Sequence, residues 1–479
     1  MDATRRNGFS LTAFVFFLLL ITGVTLGYLW TSLFRIENYS YKDAAEHFKY
    51  GSVGLESSIG VPYPIWKVMP QICQPLLPHH GKDWSAFGVL QEPGKELPIG
   101  FSKKVIGMDR IGLNCAACHV GSFRTTPNAP SKIVLGAPPS RFDLQSYIRF
   151  LGECAKSQDF TPENVLALIQ QSEPLRPDQA LLYQYLVIPA AKKALLDTAA
   201  TFAWFDRRPQ HGPGRVDTFG QAKYRVLMLP DDGTVGTVDF TSVWQQSARD
   251  GHWQHWDGNN NSYFERNVAV SVAISGGKEV DVASIQRVGK FLWDLPAPTY
   301  PFPVNTAIAI KGRQIFQTQC ADCHAPTGAQ VHQVVDINYI GTDRGRLDSF
   351  SQKLMDSIQS LTEGDTDYVK YYRSYRKTNG YLNVLLDGIW LRSPYLHNGS
   401  VPTIWDLLQP AALRPPTFFR GSDQFDNKKI GFVSQGKEVE QSGFRYDTSL
   451  PGNGNGGHAY GTDLSVEDKQ ALLEYLKTL

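Results

Sequence analysis

The chain has almost no net charge and no run of like charge. Its 47 Lys and Arg oppose 46 Asp and Glu, which leaves +1. That balance gives no basic face for nucleic acid and no strong field to steer a charged partner. Low-complexity tracts are also missing, and a hydrophobic share of 42% supplies enough apolar side chains for sizeable cores. The length suggests two or three domains. Long apolar runs are scarce, but one stands out. Residues 11–34, "LTAFVFFLLLITGVTLGYLWTSLF", contain no charged residue. Such a run is long enough to span a bilayer with some tilt. No A-x-A-like cleavage site follows it, which favours a retained anchor over a cleaved signal peptide. Arg5 and Arg6 precede it, so the N-terminus is expected in the cytoplasm and everything after Arg35 outside it.

Cysteine is scarce as well, with six in 479 residues. Four of the six fall in two copies of one string, "NCAACHVGSF" (114–123) and "QCADCHAPTG" (319–328). C-x-x-C-H is the attachment signature of c-type haem. Two thiols on one turn bond the porphyrin vinyl groups, and the following His lies under the iron. Cys115 and Cys118 are therefore expected to hold one haem with His119 on iron, and Cys320 and Cys323 a second with His324. Zinc would need further Cys or His pairs at close spacing, and none is visible. Cys73 and Cys154 are left over. They read either as a disulfide or as two buried free thiols. Thioether attachment takes place outside the cytoplasm, in agreement with the N-terminal run.

Periodicity divides the rest. Residues 36–100 are rich in Pro, Gly and aromatics and read as a loop-rich wrap. Helical spacing follows at 144–155, 163–171 and 179–205, the last interrupted at Pro189. A linking helix is expected over 282–295 and a Pro-rich linker over 296–305. In "TAIAIKGRQIFQTQCADCH", Ile308, Gly312, Ile315, Phe316 and Gln319 share a face, and Gly312 permits close approach of another helix. The C-terminal stretch 464–479 opens with Ser465 and Asp468 in capping spacing and carries Leu472, Leu476 and Leu479 as a stripe. A helix before C-x-x-C-H that crosses a terminal helix is the arrangement of cytochrome c folds. The expected architecture is mainly α: two cytochrome c-like haem domains with long loops, preceded by one N-terminal transmembrane helix. The boundaries are 1–40 for the anchor, 41–280 for the N-terminal haem domain and 281–479 for the C-terminal one.

With "GLNCAACHVGSFR", "HWDGNNNSYFERN" (255–267), "GRQIFQTQCADCH", "PYLHNGSVPTIWDLL" (394–408) and "GHAYGTDLSVEDKQALLEYLKTL" (457–479) in view, the chain resembles the dihaem c-type cytochromes grouped around bacterial cytochrome c peroxidases, MauG-like proteins and rubber oxygenases. The resemblance implies two covalently attached haem c groups, with a structural calcium ion as an optional addition. It implies a place in the bacterial inner membrane with the haem domains in the periplasm. It further implies a small electron donor or acceptor, such as a cytochrome c or a cupredoxin. By resemblance to the rubber-oxygenase branch, His458 closes the C-terminal haem as sixth ligand. His397 in "PYLHNGS" and Met355 are the alternatives. Trp256, in W-D-G, matches the tryptophan that relays electrons between the haems in the resembled proteins; core packing is the other reading for it and for Trp253. Arg215, Arg266 and Asn267 are candidates for propionate contacts, although a structural role suits both Arg better. His79, His80, His252, His255 and His332 lack motif support and read as loop or surface residues. The N-terminal haem has no sixth-ligand candidate and is expected to be five-coordinate. Three functions fit: a peroxidase that reduces hydrogen peroxide at one haem with electrons entering through the other, an oxygenase that cleaves an apolar substrate, or a non-catalytic carrier.

Overall fold

In the computed structural model the described residues are 11–277, 280–363 and 369–479. Arg5 and Arg6, which set the expected orientation, lie outside them. The chain is mainly helical with short strands. Helix α1 (Leu11–Phe34) has no acidic residue in its first turn and no basic one in its last. Its window Leu11–Tyr28 has a mean hydropathy of 2.1, and no part of it is buried in the protein. A helix that is apolar all round and uncovered by protein calls for apolar surroundings. By length and composition α1 is either a signal anchor or a membrane span.

A four-stranded antiparallel sheet follows. It is made of β1 (Ile36–Asn38), β2 (Val61–Pro62), β3 (Phe101–Ile106) and β4 (Met108–Leu113), in the order β1-β3-β4-β2. Strand β4 runs directly into the first Cys pair. Asn114 caps the short helix Cys115–His119 by accepting from the Ala116 N–H at 2.9 Å. Its amide also donates to the carbonyls of Lys49 and Gly51 at 3.2 and 3.0 Å. Gly100 lies against this turn with φ +91°, where a Cβ would sit 2.4 Å from the Ala117 Cα. Only glycine fits there.

Two main cores flank the two signatures. The first is aromatic, with Trp66 stacked on Trp84 at 4.4 Å and Tyr147 and Phe150 from helix α2 (Leu144–Lys156) closing around them. Cys73 and Cys154 are joined by a disulfide beside this core. Helix α3 (Ile188–Ala200) is preceded by a π-helical turn at Tyr183–Val187. The chain therefore widens ahead of Pro189 instead of breaking at it, which frees the proline from an intrahelical donor role. Helix α4 (Tyr263–Ser275) and helix α5 (Val282–Trp293) bury Val268, Val272, Ile285, Val288 and Leu292 in this first core. The helix read as a link thus packs on the first core.

The second core gathers Trp244, Tyr300, Trp390, Phe425 and the terminal leucines. Helix α6 (Thr306–Gln319) crosses helix α7 (Val466–Leu476) at Gly312, where a Cβ would lie 1.8 Å from the Ala471 carbonyl oxygen. That contact sets the rotation of α6. Its buried line is Ala309, Gly312 and Phe316, whereas Ile308 and Gln319 face outward. Ser465 caps α7 by accepting from the Asp468 N–H at 3.1 Å.

Candidate haem sites

Each signature histidine is held by one backbone carbonyl. His119 donates from Nδ1 to the Thr241 carbonyl at 2.9 Å, and His324 from Nδ1 to the Val384 carbonyl at 2.7 Å. A carbonyl accepts only, so both rings are Nδ1–H tautomers with the Nε2 lone pair free for a metal. Phe240 meets the His119 ring edge-on at 6.2 Å. Burial, then the nearby Arg266 charge, lowers the His119 pKa to about 4. Burial also lowers His324. Both imidazoles are neutral at pH 7, as ligands must be. Burial raises the Cys115 thiol to about 11 and moves Cys118 in the same direction.

Cys115, Cys118, His119, Cys320, Cys323, His324 and His458 all keep intermediate accessible surface. Burial is also the first cause of the lowered pKa of His119, His324 and His458. Cationic groups gather at both places. Arg266 lies over the Tyr263 ring at 4.6 Å and, among the described residues, meets no carboxylate. Near His324, Arg249 and Arg392 share the single carboxylate of Asp387. A surplus of buried positive charge suits the two propionates of a haem. Thiols, neutral imidazoles and surplus arginines together fit haem c at both signatures. Among the described residues no group of three or more His, Cys, Asp or Glu gathers as a metal cluster.

The two sites differ on the side opposite the signature histidine. The His458 ring lies 6.3 Å from the His324 ring, centre to centre. Two imidazoles bound to one metal on opposite sides, each through a bond of about 2 Å, would put their centres roughly 6 Å apart. Among the described residues no second imidazole stands opposite His119 at such spacing. His458 occupies a left-handed backbone position, φ +48°. Its pKa is lowered to about 4 by burial and then by His324. The loop that carries it is gripped by Arg414, which donates to the carbonyls of Asn455 at 2.6 Å, Gly457 at 2.9 Å and His458 at 3.3 Å. The other guanidinium hydrogens go to Leu407 and Gln409.

The rival ligands are otherwise engaged. His397 is stacked on Tyr381 at 3.9 Å, and its Nε2 is 2.9 Å from the Tyr381 hydroxyl. Met355 is buried among Phe219, Phe350, Leu354 and Ile358. Trp256 is tied to both histidine supports. Its Nε1–H donates to the Asp239 carbonyl at 2.9 Å, two residues before Thr241. Its own carbonyl accepts from the Leu382 N–H at 2.8 Å, two residues before Val384. Trp253 instead carries the Arg376 guanidinium on its face at 3.2 Å. Arg215 is fully buried beside Asp239, which also pairs with Arg420 at 3.0 Å.

His79, His80 and His252 are exposed as expected. His255 and His332 lie in loops as expected, but His332 is buried and stacked on His252 at 4.3 Å, and His255 is half-buried with its Nε2 sealed from solvent. Tertiary packing, which has no local pattern, covers them. The supports Thr241 and Val384 were equally invisible, because a backbone carbonyl carries no residue identity. Arg414, Asp239 and Arg420 carried no signal beyond being charged.

The family described as RoxA-like, cytochrome c-like, matches residues 380–420, a stretch that runs from Tyr381 through His397 to Arg414 and Arg420. That match implies covalently bound haem c. The uncharacterized protein y4iM of Sinorhizobium fredii is 33% identical over 319 residues, covering 57% of this chain and 71% of the relative. The uncharacterized protein y4iJ of the same organism is 24% identical over 512 residues, covering 82% and 84%.

Proposed function

We propose that this chain, which belongs to the same family as the rhizobial protein y4iM, is a membrane-anchored periplasmic cytochrome with two unequal haem c groups that reduces hydrogen peroxide. Cys115, Cys118 and His119 would hold one haem. Cys320, Cys323, His324 and His458 would hold the other. The observation that carries this reading is the imidazole opposite His324 at 6.3 Å, with no counterpart opposite His119 among the described residues. Haem c, when bound, would supply one-electron redox chemistry and an iron to which peroxide or O₂ can bind.

The protein's own groups divide the remaining work. The Thr241 and Val384 carbonyls orient the two signature imidazoles. Arg414 keeps the His458 loop in place. Trp256 bridges the two supports by hydrogen bonds and is the residue through which electrons pass from one site to the other. Helix α1 holds the haem domains at the periplasmic face of the inner membrane. Electrons come from a small one-electron protein, a cytochrome c or a cupredoxin. Reducing H₂O₂ to two waters takes two electrons and two protons. A pair of metal sites lets a one-electron donor serve a two-electron oxidant.

The RoxA-like match at residues 380–420 supports a second reading, an oxygenase that takes O₂ at the N-terminal site and cleaves an apolar alkene. Steady-state reduction of H₂O₂ by a reduced small cytochrome, run beside O₂ binding to the reduced protein, separates the two. Peroxide turnover is the expected result. A stable O₂ complex with alkene cleavage and no peroxide turnover selects the oxygenase. Absence of both, with two six-coordinate haems, selects a carrier.

A further inference from the structure

His255 is a half-buried imidazole that no part of the reading above uses. It adjoins Trp256 and adopts a left-handed backbone conformation, φ +63°. A non-glycine residue in that region is strained, and such strain persists where surrounding structure holds a side chain in a required place. Among the described residues neither of its ring nitrogens finds a hydrogen-bond partner, and Nε2 is sealed from solvent. Buried polar atoms are ordinarily paired, so an orphan needs an explanation such as a missing ligand. The residue as a whole keeps intermediate accessible surface.

Arg266 connects this imidazole to the first haem site. The residue next to His255, Trp256, donates to the Asp239 carbonyl, two residues before the Thr241 carbonyl that holds His119, and the Arg266 charge acts on Cys115, His119 and His255 alike. Arg266 sits on α4, which buries Val268 and Val272 in the same core that Cys115 and Cys118 touch. Tyr375 lies 6.5 Å from the His255 ring and also feels Arg266. Arg346, the other cation near His255, is neutralised by Asp257 at 2.8 Å. Arg266 has no such partner among the described residues, so its charge is free to act on a ligand.

We propose that His255 and Arg266 form the polar pair that receives a small protic or anionic ligand at the open axial position of the N-terminal haem. Resting on the peroxidase reading, the imidazole takes a proton from the H₂O₂ oxygen nearer the iron and passes it to the far oxygen. The O–O bond then breaks, and the far oxygen leaves as water. The two electrons come from the small one-electron donor, and two protons from solvent complete two waters. Arg266 offsets the negative charge that grows during this transfer. Burial and Arg266 hold the His255 pKa well below its ordinary value, so the imidazole is a neutral acceptor at pH 7.

The experiment uses the full-length holoprotein and two probes that need no turnover, cyanide and fluoride. Cyanide arrives as HCN and must lose its proton on binding, whereas fluoride is already an anion. A positioned base contributes about 10²–10⁴-fold to such a proton transfer. His255→Leu is expected to slow cyanide association at the N-terminal haem at least tenfold. His255→Gln, which keeps the size and the hydrogen bonding but cannot act as a base, is expected to slow cyanide while preserving fluoride affinity. Arg266→Gln is expected to weaken fluoride, with partial recovery in Arg266→Lys. Intact mass and the Soret band of each variant confirm that both haems are retained. Cyanide rates within twofold of wild type in both His255 variants overturn the proposal. A wild-type protein that binds neither probe overturns it as well. If the wild type shows fast, His255-dependent cyanide binding yet no peroxide turnover, the pair stands and the peroxidase reading falls.

Discussion

Replacing one arginine far from either Cys pair should change a haem spectrum. Arg414 spends its guanidinium on five backbone carbonyls, three of them in the loop that carries His458. Arg414→Ala should convert part of one low-spin haem to high spin, and Arg414→Lys should lie between, since lysine cannot reproduce a planar fork. His458→Ala should give complete conversion, and His397→Ala should leave the spin state unchanged because Tyr381 already holds that ring. Low-temperature EPR of the four variants checks the order. The residues proposed to bind haem are marked in the sequence because thioether chemistry fixes their spacing. Arg414 was not, because its partners are carbonyls about forty residues away. His255 was passed over as a loop residue for a similar reason: nothing in "HWQHWDG" tells that the fold closes around it.

At the scale of elements, the crossing of α6 and α7 is the most tightly specified contact. A side chain at position 312 would drive its Cβ into the Ala471 carbonyl. Gly312→Leu should therefore separate the two helices and cost about 3 kcal/mol, the upper end of ordinary overpacking. Differential scanning calorimetry should show the loss. The crossing could be read from one glycine, a capped terminal helix and a leucine stripe. The rotation of α6 could not, since Ile308 looks like a core residue until Gly312 is required to face Ala471. The π-turn before Pro189 was likewise hidden, because a wider turn and a break leave the same apolar spacing. The disulfide between Cys73 and Cys154 ties the end of helix Tyr63–Ile72 to α2 across 81 residues. Its removal in Cys73→Ser/Cys154→Ser should cost roughly 2–5 kcal/mol, seen as a lower denaturant midpoint. Pairing was an even choice from sequence because it depends on a Cα separation, here 5.5 Å.

The whole molecule joins two cores across the segments that orient the signature histidines. Residues 239–241 and 382–384 support one histidine each, and Trp256 is bonded to both segments. Acid should weaken this assembly through buried histidines that are not candidate ligands. Burial lowers His211 to about 3, and burial with His252 beside it lowers His332 to about 4. Both imidazoles are neutral when folded and take up protons near pH 6.5 when unfolded. The unfolded state therefore binds more protons between roughly pH 6.5 and 4, and stability falls as pH drops through that window. Thermal unfolding from pH 7.5 to 4.5 should show the decline, and His211→Gln should flatten it. The expectation of two haem units rests on the repeated signature alone. What the repeat could not reveal is the inequality proposed for the two sites, since it depends on a loop after position 450 folding back over His324. EPR of the ferric full-length protein at low temperature tests that inequality most directly. The account predicts one low-spin signal from a haem held by two imidazoles and one separate high-spin signal from the N-terminal haem. Two equivalent low-spin signals, with no high-spin iron, would contradict it.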